Sequence, residues 1–496
     1  MENISSVNTK SMPLKIDIRN YIKDHQFNGK IVLPAVEEMQ ILASTLQSIM
    51  PDINTGTITS AAFNRFIEIT PDQKTLEAFA DFIFSETEIS ATLSTIKSSK
   101  DGSIKRKVEN AKLIFNLKKT ETKSIPLDTA CIIEGPVTEI SPDKLYEELV
   151  PFLKSYRNAT DKIYISRSGA MGTISGGTEE FFPGPLGSPF PLDAAFHIAC
   201  VWGQRYSGFT GFPVGFESRT IYHQTEKNGL YHTRIIPVST EKNTNFYDIY
   251  IYSMEGILME SVSSLKMSDV TAGKLKAPEW ISTGLTDEKR LYDFLSHYAG
   301  YSIIEVGKEA PFSGKTFSGI ELERSKSMLE KRIRSFTSAR LACKALTRKL
   351  SNDYNISPEN INTVDSENLP ICGNFSEMNC SVSHDSRFAI AIEGKELIGA
   401  DVEEISDRVN KTKSTFMNED EIKLVEKSDN QIKASLRIWS VKECAVKAFR
   451  SNLADAWKEA VIIETGKNIS RFRFKDNVYE AAHFEYMNHL FTVFKA

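Results

Sequence analysis

Three carboxylates and a lysine in the C-terminal third are spaced for phosphate chemistry. Asp401 and Glu403 stand two apart in Gly399-Ala400-Asp401-Val402-Glu403. On an extended chain that spacing puts both carboxylates on one face. Further along, Trp439-Ser440-Val441-Lys442-Glu443 precedes Lys447. In a helix Glu443 and Lys447, at i and i+4, share a face. Carboxylates converging from a strand and a helix suit Mg²⁺, a hard cation that takes oxygen ligands alongside substrate phosphate. Lys447 would then meet phosphate charge. The plainer readings are a solvated strand face and a surface ion pair.

A second set lies far upstream. His25, Gly29 and Pro34 form the pattern His-x3-Gly-x4-Pro, and Leu192-Asp193-Ala194-Ala195-Phe196-His197 reads as a helix start. Asp193 and His197, at i and i+4, point the same way. Ala194, Ala195 and Ala199 allow another backbone to come close. A histidine and a carboxyl are the groups that general base and acid work requires. The plainer readings are a satisfied histidine and a simple helix-start aspartate.

Two kinds of element must position these groups. From residue 15 to about 267, short runs with β-branched and aromatic residues (61–69, 113–117, 163–166, 247–253) read as strands. Two helices interrupt them, at 35–43 after Pro34 and at 192–202, each entered from a proline-containing loop. This predicts one α+β unit occurring twice, with 134–149 between the copies. Residues 271–280 carry Gly, Lys and Pro and read as the start of a linker. From 321 helices become prominent. The span 327–350 is amphipathic and basic (Lys331, Arg332, Arg334, Arg340, Lys344, Arg348, Lys349), either a solvated face or a docking surface for an acidic partner. Strands at 388–392 and 398–402 and a helix at 438–449 follow. Ser313-Gly314-Lys315-Thr316 looks like the tail of a phosphate loop, but Glu309 stands where its first glycine belongs. The glycines of 169–187 read as a mobile loop.

The chain has 496 residues, room for about three domains, or two if one is double-sized. Its 41% apolar and 25% charged residues exclude a collagen, a coiled coil and a disordered tail. No apolar run approaches the roughly 18 residues of a membrane span, so no membrane partner is expected. Residues 1–15 lack the layout of a secretion signal. With 60 basic against 65 acidic side chains, net −5, nothing points to nucleic acid. Six scattered cysteines without a CxxC pair read as reduced thiols of a cytoplasmic protein.

The C-terminal blocks resemble the Sfp-type 4′-phosphopantetheinyl transferases over about 327–449. The likeness rests on Phe336-Thr337-Ser338-Ala339-Arg340, Cys380-Ser381-Val382-Ser383-His384, Ile398 to Glu403, and Trp439 to Ala448. It implies two similar α+β halves with coenzyme A and Mg²⁺ between them. Asp401, Glu403 and Glu443 would hold Mg²⁺ on the pyrophosphate. Ser383 and His384 would contact coenzyme A phosphates, with Arg340 among the cationic contacts. Lys447 would stabilise or protonate the leaving phosphate, and Glu443 would assist the attacking serine. Asn368-Leu369-Pro370 stands where Gly-Lys-Pro is frequent, and Asp385 adds a negative charge beside His384.

The N-terminal blocks resemble the dehydratase domains of polyketide synthases and multifunctional fatty-acid synthases, over roughly 15–268. The likeness is strongest at His25–Pro34 and at 188–197. It implies a double hotdog fold. His25 would be the general base for the α-proton of a β-hydroxyacyl thioester, Asp193 would protonate the departing hydroxyl, and His197 would orient Asp193. Tyr156-Arg157-Asn158 is the nearest candidate for a Tyr-Gly-Pro block frequent in such domains.

Together these imply an α+β protein with a dehydratase-like double hotdog at 1–275 (first hotdog about 15–120, second about 150–268) and a pseudo-twofold phosphopantetheinyl transferase at 276–496. Both halves would act on an acyl carrier protein. No carrier serine motif of the Gly-x-Asp-Ser-Leu kind is present, so the carrier is expected in trans or within a multienzyme synthase. Such dehydratases often dimerise, which makes a homodimer one expected assembly. Two alternatives keep the transferase. In one the hotdog is a cyclase or isomerase; in the other it is a non-catalytic carrier-docking module.

Overall fold

Pro34 starts the first long helix, α1 (Ala35–Ile49), and Glu37 and Glu38 occupy its first turn, where the helix dipole favours acids. The second, α2 (Phe190–Tyr206), has Pro191 and Asp193 in its first turn. Every residue of α2 except Tyr206 is buried, so it runs through a core rather than over one. The computed structural model describes residues 8–27, 29–98, 105–118, 124–182, 184–364, 370–371, 377–450 and 457–496. Two compact units divide the chain: 1–124 with 138–283, and 125–137 with 284–496.

In the first unit thirteen strands form one antiparallel sheet. They are β1 (Asn8–Asp17), β2 (Thr57–Phe63), β3 (Thr75–Phe84), β4 (Glu88–Ser98), β5 (Lys105–Asn116), β6 (Thr138–Ile140), β7 (Ile163–Ser166), β8 (Gly169–Ser175), β9 (Phe212–Phe216), β10 (Ser218–Ile221), β11 (Leu230–Glu241), β12 (Thr244–Ser253) and β13 (Leu258–Ser268). The spatial order is β1-β3-β4-β5-β2-β9-β13-β12-β11-β8-β7-β6, with β10 pairing β13 and β2. Around the β2–β9 junction the two halves repeat one another. Strand, long helix, and four strands in the order β1-β3-β4-β5-β2 are matched by β8-β11-β12-β13-β9. Each half wraps a sheet around its own helix, which is the double hotdog. Alternation of buried and exposed positions, as in β3, turns one sheet face onto α1 and α2.

The second unit has two antiparallel sheets, each with a helix. The first is β14 (Gly300–Glu305), β15 (Asn379–His384) and β16 (Phe388–Gly394) in the order β14-β16-β15, with α3 (Glu330–Ser351). The second is β17 (Ile398–Glu404), β18 (Ala460–Thr465), β19 (Ile469–Phe474), β20 (Asn477–Tyr486) and β21 (His489–Lys495) in the order β17-β21-β20-β19-β18, with α4 (Gln431–Phe449).

Several expectations change. The span 61–69 is broken: β2 ends at Phe63 and a separate short strand covers Glu68–Ile69. The expected mobile loop begins instead with β8, whose residues are mostly buried in the sheet. Ser313–Thr316 is a single turn closed on itself, with Thr316 Oγ1 donating to Ser313 O at 2.7 Å.

The basic helix α3 is neither wholly a solvated nor wholly a docking face. Lys344 is fully buried against Glu321 at 2.9 Å and donates to Pro358 O and Ile361 O. Arg348 is buried against Asp128. Arg340 donates to Thr363 O at 2.9 Å. Lys331, Arg332 and Arg334 remain exposed.

Residues 125–137 belong to the second unit although the chain around them builds the first. Glu305 accepts from Val137 N at 2.9 Å, Gly135 N donates to Ile303 O at 2.8 Å, and Glu134 accepts from Ser302 Oγ at 2.7 Å. Removing one partner of a buried ion pair leaves an uncompensated charge. Asp128→Ala is therefore expected to destabilise the second unit by ~3–5 kcal/mol. Lys162→Ala, at the exposed Lys162–Glu139 pair, is expected to leave stability almost unchanged. Thermal unfolding of the full chain checks the contrast.

Candidate active sites

In the first unit, α2 delivers Asp193 and His197, and the turn before α1 delivers His25. Asp193 and His197 are each 4% exposed. His25 Nδ1 lies 3.0 Å from Val32 O. A carbonyl only accepts, so Nδ1 carries the hydrogen and Nε2 is a lone pair. That lone pair faces Asp193 Oδ1 at 3.9 Å, beyond hydrogen-bond distance, so both groups can turn to one substrate placed beside them. His197 Nε2 lies 3.1 Å from Asp193 Oδ2, at an angle too poor for a hydrogen bond. Gly29, at φ +74°, makes the turn between His25 and Val32 in a conformation that suits glycine.

The ring of Phe152 fixes both imidazoles. It stacks on His25 at 4.3 Å and on His197 at 4.6 Å. Tyr156, fully buried, meets the edge of His25 at 4.9 Å. Burial pushes His25 down to about 4, with Asp193 opposing and His197 adding to the shift. It is therefore neutral at pH 7, as a base must be. These groups line a cavity of about 210 Å³ whose other walls include Phe27, Phe63, Phe66 and Phe212. Among the described residues, His25, Asp193 and His197 are the group of three potential ligand side chains whose donor atoms all lie within 4.8 Å of one another.

In the second unit the sites meet where β17 presses on α4. A Cβ at Gly399 would lie 2.2 Å from Cys444 O, so only glycine permits this approach. Asp401, 3% exposed, accepts from Lys447 Nζ at 3.0 Å and from Ser383 Oγ at 2.9 Å. Lys447 also donates to Ala400 O at 2.8 Å. Asp401 Oδ2 is buried without a hydrogen bond. Burial and the Asp401 carboxylate raise Glu403 to about 7, while Trp439 Nε1 donates to it at 3.3 Å. Glu443 is also raised, by burial first, with Lys447 opposing and Asp401 adding. Three mutually repelling carboxylates and an orphaned oxygen are the donor set that a divalent cation relieves. They are more widely spread than the histidine–aspartate group.

His384 is lowered by burial and then by Lys447 and Arg340, two cations close enough to disfavour its protonated form. Ser383 does not fit its expected role. Its hydroxyl gives its hydrogen to Asp401 and accepts from Val402 N at 3.3 Å, so none remains to offer a phosphate. Asp385 is not a stray charge beside the phosphates. It caps Arg387 N and Phe388 N and pairs with His489 at 3.0 Å, which hold it below the usual carboxylate range against the effect of burial. Residues 368 and 369 lie outside the described residues. Sequence reasoning missed Phe152, which sits in no pattern that marks it apart from ordinary core aromatics, and it quoted Trp439 within a motif without giving its side chain a role.

Asp401, Glu403, Glu443 and Lys447 all fall inside one recognised segment. Residues 397–493 match the 4′-phosphopantetheinyl transferase superfamily. The chain thus joins a double hotdog to a unit in which residues 397–493 match that superfamily. Solved structures similar to the chain are dehydratase domains. One, a monomeric domain from a trans-AT polyketide synthase split module, is 16% identical, with 53% of this chain and 100% of that chain covered and a TM-score of 0.43. Another is the dehydratase domain from the CurJ module of the curacin polyketide synthase, at 14% identity, 54% and 93% coverage and a TM-score of 0.44. A third, of the polyketide PpsC from Mycobacterium tuberculosis, is 13% identical, with 53% and 94% coverage and a TM-score of 0.43. A search of curated proteins finds no match. Among the described residues no helix is long and apolar enough to cross a membrane.

The His25 midpoint should lie near 4, because burial disfavours its charged form. An NMR titration of labelled imidazole carbons checks this, and a wild-type midpoint near 6.5 would contradict the buried geometry.

Proposed function

We propose that the chain is a bifunctional enzyme acting on acyl carrier protein. Its second unit transfers 4′-phosphopantetheine from coenzyme A to a carrier serine, and its first unit dehydrates β-hydroxyacyl thioesters borne on that arm. The transferase reading is carried by one observation: the matched segment contains Asp401, Glu403, Glu443 and Lys447. The dehydratase reading is carried by the lone pair of His25 facing Asp193 across 3.9 Å in an apolar cavity.

In the transferase, Asp401, Glu403 and Glu443 would hold Mg²⁺, which when bound draws charge from the coenzyme A diphosphate. Glu443 takes the proton of the carrier serine as its oxygen bonds to the β-phosphorus. The bond to the adenosine-bearing phosphate breaks, and Lys447 stabilises the charge that leaves. Two of the three Lys447 hydrogens are held by Asp401 and Ala400, so the third is aimed by the fold. Arg340 supplies further positive charge for the substrate phosphates, and His384, held towards its neutral form, supplies a hydrogen-bonding ring nitrogen.

In the dehydratase, neutral His25 removes the α-proton while Asp193 gives its proton to the β-hydroxyl, which leaves as water. The enoyl thioester forms, and proton return from His25 to Asp193 resets the pair. Phe152 and His197 hold the two groups at their separation.

Intact-mass measurement of an apo-carrier with coenzyme A, Mg²⁺ and the protein should show the added arm. Glu443→Ala should lower transfer by at least ~100-fold and leave dehydration intact, whereas His25→Ala should do the reverse. A protein that loads carriers but never converts simple 3-hydroxyacyl carriers to enoyl products would leave a cyclase, isomerase or docking hotdog instead.

A further inference from the structure

Two further acids that the proposed chemistry does not use line the cavity that holds His25, Asp193 and His197: Glu148, which accepts from Trp280 Nε1 at 2.6 Å, and Glu38. Glu38 is 3% exposed and lines that cavity. Its polar neighbours on α1 are hydrogen-bonded, although Glu37 Oε2 is buried without a partner. Glu37 accepts from Tyr21 at 2.8 Å, and Gln40 donates to Gly187 O at 3.2 Å and accepts from Leu186 N at 3.2 Å. The Glu38 carboxyl has no hydrogen bond or ion pair among the described residues. Burial alone pushes it well above the usual carboxylate range, which favours its protonated form.

A protonated carboxyl is a donor and an acceptor together. Here it faces a space walled by Phe27, Phe63, Phe66 and Phe212. A polar group in such a place is costly unless something pairs with it. Glu38 is the fourth residue of α1, as Asp193 is the fourth of α2. The repeat thus sends one acid into the cavity from each helix start. One is flanked by imidazoles and suits proton transfer; the other shares the cavity without a partner of its own and suits recognition.

We propose that Glu38 selects the acyl chain by hydrogen-bonding a second oxygen substituent, a hydroxyl or ketone, carried beyond the β-carbon. The unit then favours oxygenated β-hydroxyacyl thioesters over simple alkyl ones of equal length. This rests on the dehydratase reading for its choice of ligand.

The test compares 3,5-dihydroxyhexanoyl and 3-hydroxyhexanoyl pantetheine thioesters with the full chain. Dehydration gives the ratio of kcat/KM, and calorimetry on the Asp193→Asn protein gives the ratio of Kd. The dihydroxy compound is expected to be favoured about tenfold, the scale of one buried hydrogen bond. Glu38→Leu should bring both ratios to one, while Glu38→Gln, which keeps a donor and an acceptor, should retain most of the preference. Glu38→Leu should also raise the thermal midpoint, because it removes an unpaired buried carboxyl, so a lost preference is not lost folding. A wild-type binding ratio at or below one, or a ratio untouched by Glu38→Leu, overturns the proposal. No turnover of either compound would sink the dehydratase reading instead, and the binding ratios would still decide the role of Glu38.

Discussion

Each candidate site keeps an aspartate out of water, and both sites are built around that constraint. Removing a carboxylate from solvent is strongly unfavourable unless partners replace the lost hydration. Asp401 receives a lysine and a serine hydroxyl. Asp193 receives no comparable hydrogen-bond shell; two imidazoles stand near it instead. The first arrangement locks an oxygen in place. The second leaves a carboxyl with room to exchange a proton. Two similar side chains at similar depth thus suit different chemistry through what surrounds them.

Backbone geometry makes both arrangements attainable. Gly399 lets a strand and a helix approach closely enough for acids on one to sense acids on the other. In the hotdog the repeated strand–helix–strand path places two helix starts in one core, and Phe152 fills the space between His25 and His197. Without that ring each imidazole would have an extra rotamer to explore, and the 3.9 Å gap would not be held.

Much of this could be read from the residues alone. The doubled α+β unit follows from two proline-entered helices and alternating strands, and its topology is the repeat that the sequence suggested. The strand at 398–402 and the helix ending at Phe449 lie where periodicity put them. What escaped was tertiary. Lys344 and Arg348 look like surface charges in a basic amphipathic helix, yet distant Glu321 and Asp128 bury them. Local periodicity cannot report a partner that arrives from elsewhere in the chain. The same holds for Ser383: the motif places it beside phosphate-contacting residues, but its side chain turns to Asp401. Asp385 was misleading for the opposite reason, because His489 answers it from a far strand.

The strap at 125–137 has a consequence for how the chain comes into being. It leaves the ribosome before the second hotdog, yet its partners follow only after residue 284. At roughly 5–20 residues per second, the nascent strap waits on the order of ten seconds or more for them. Through that interval Asp128 and Val137 have no native counterpart. The first hotdog can fold early, but the second unit is bound to close late, by recapturing a piece of chain made long before.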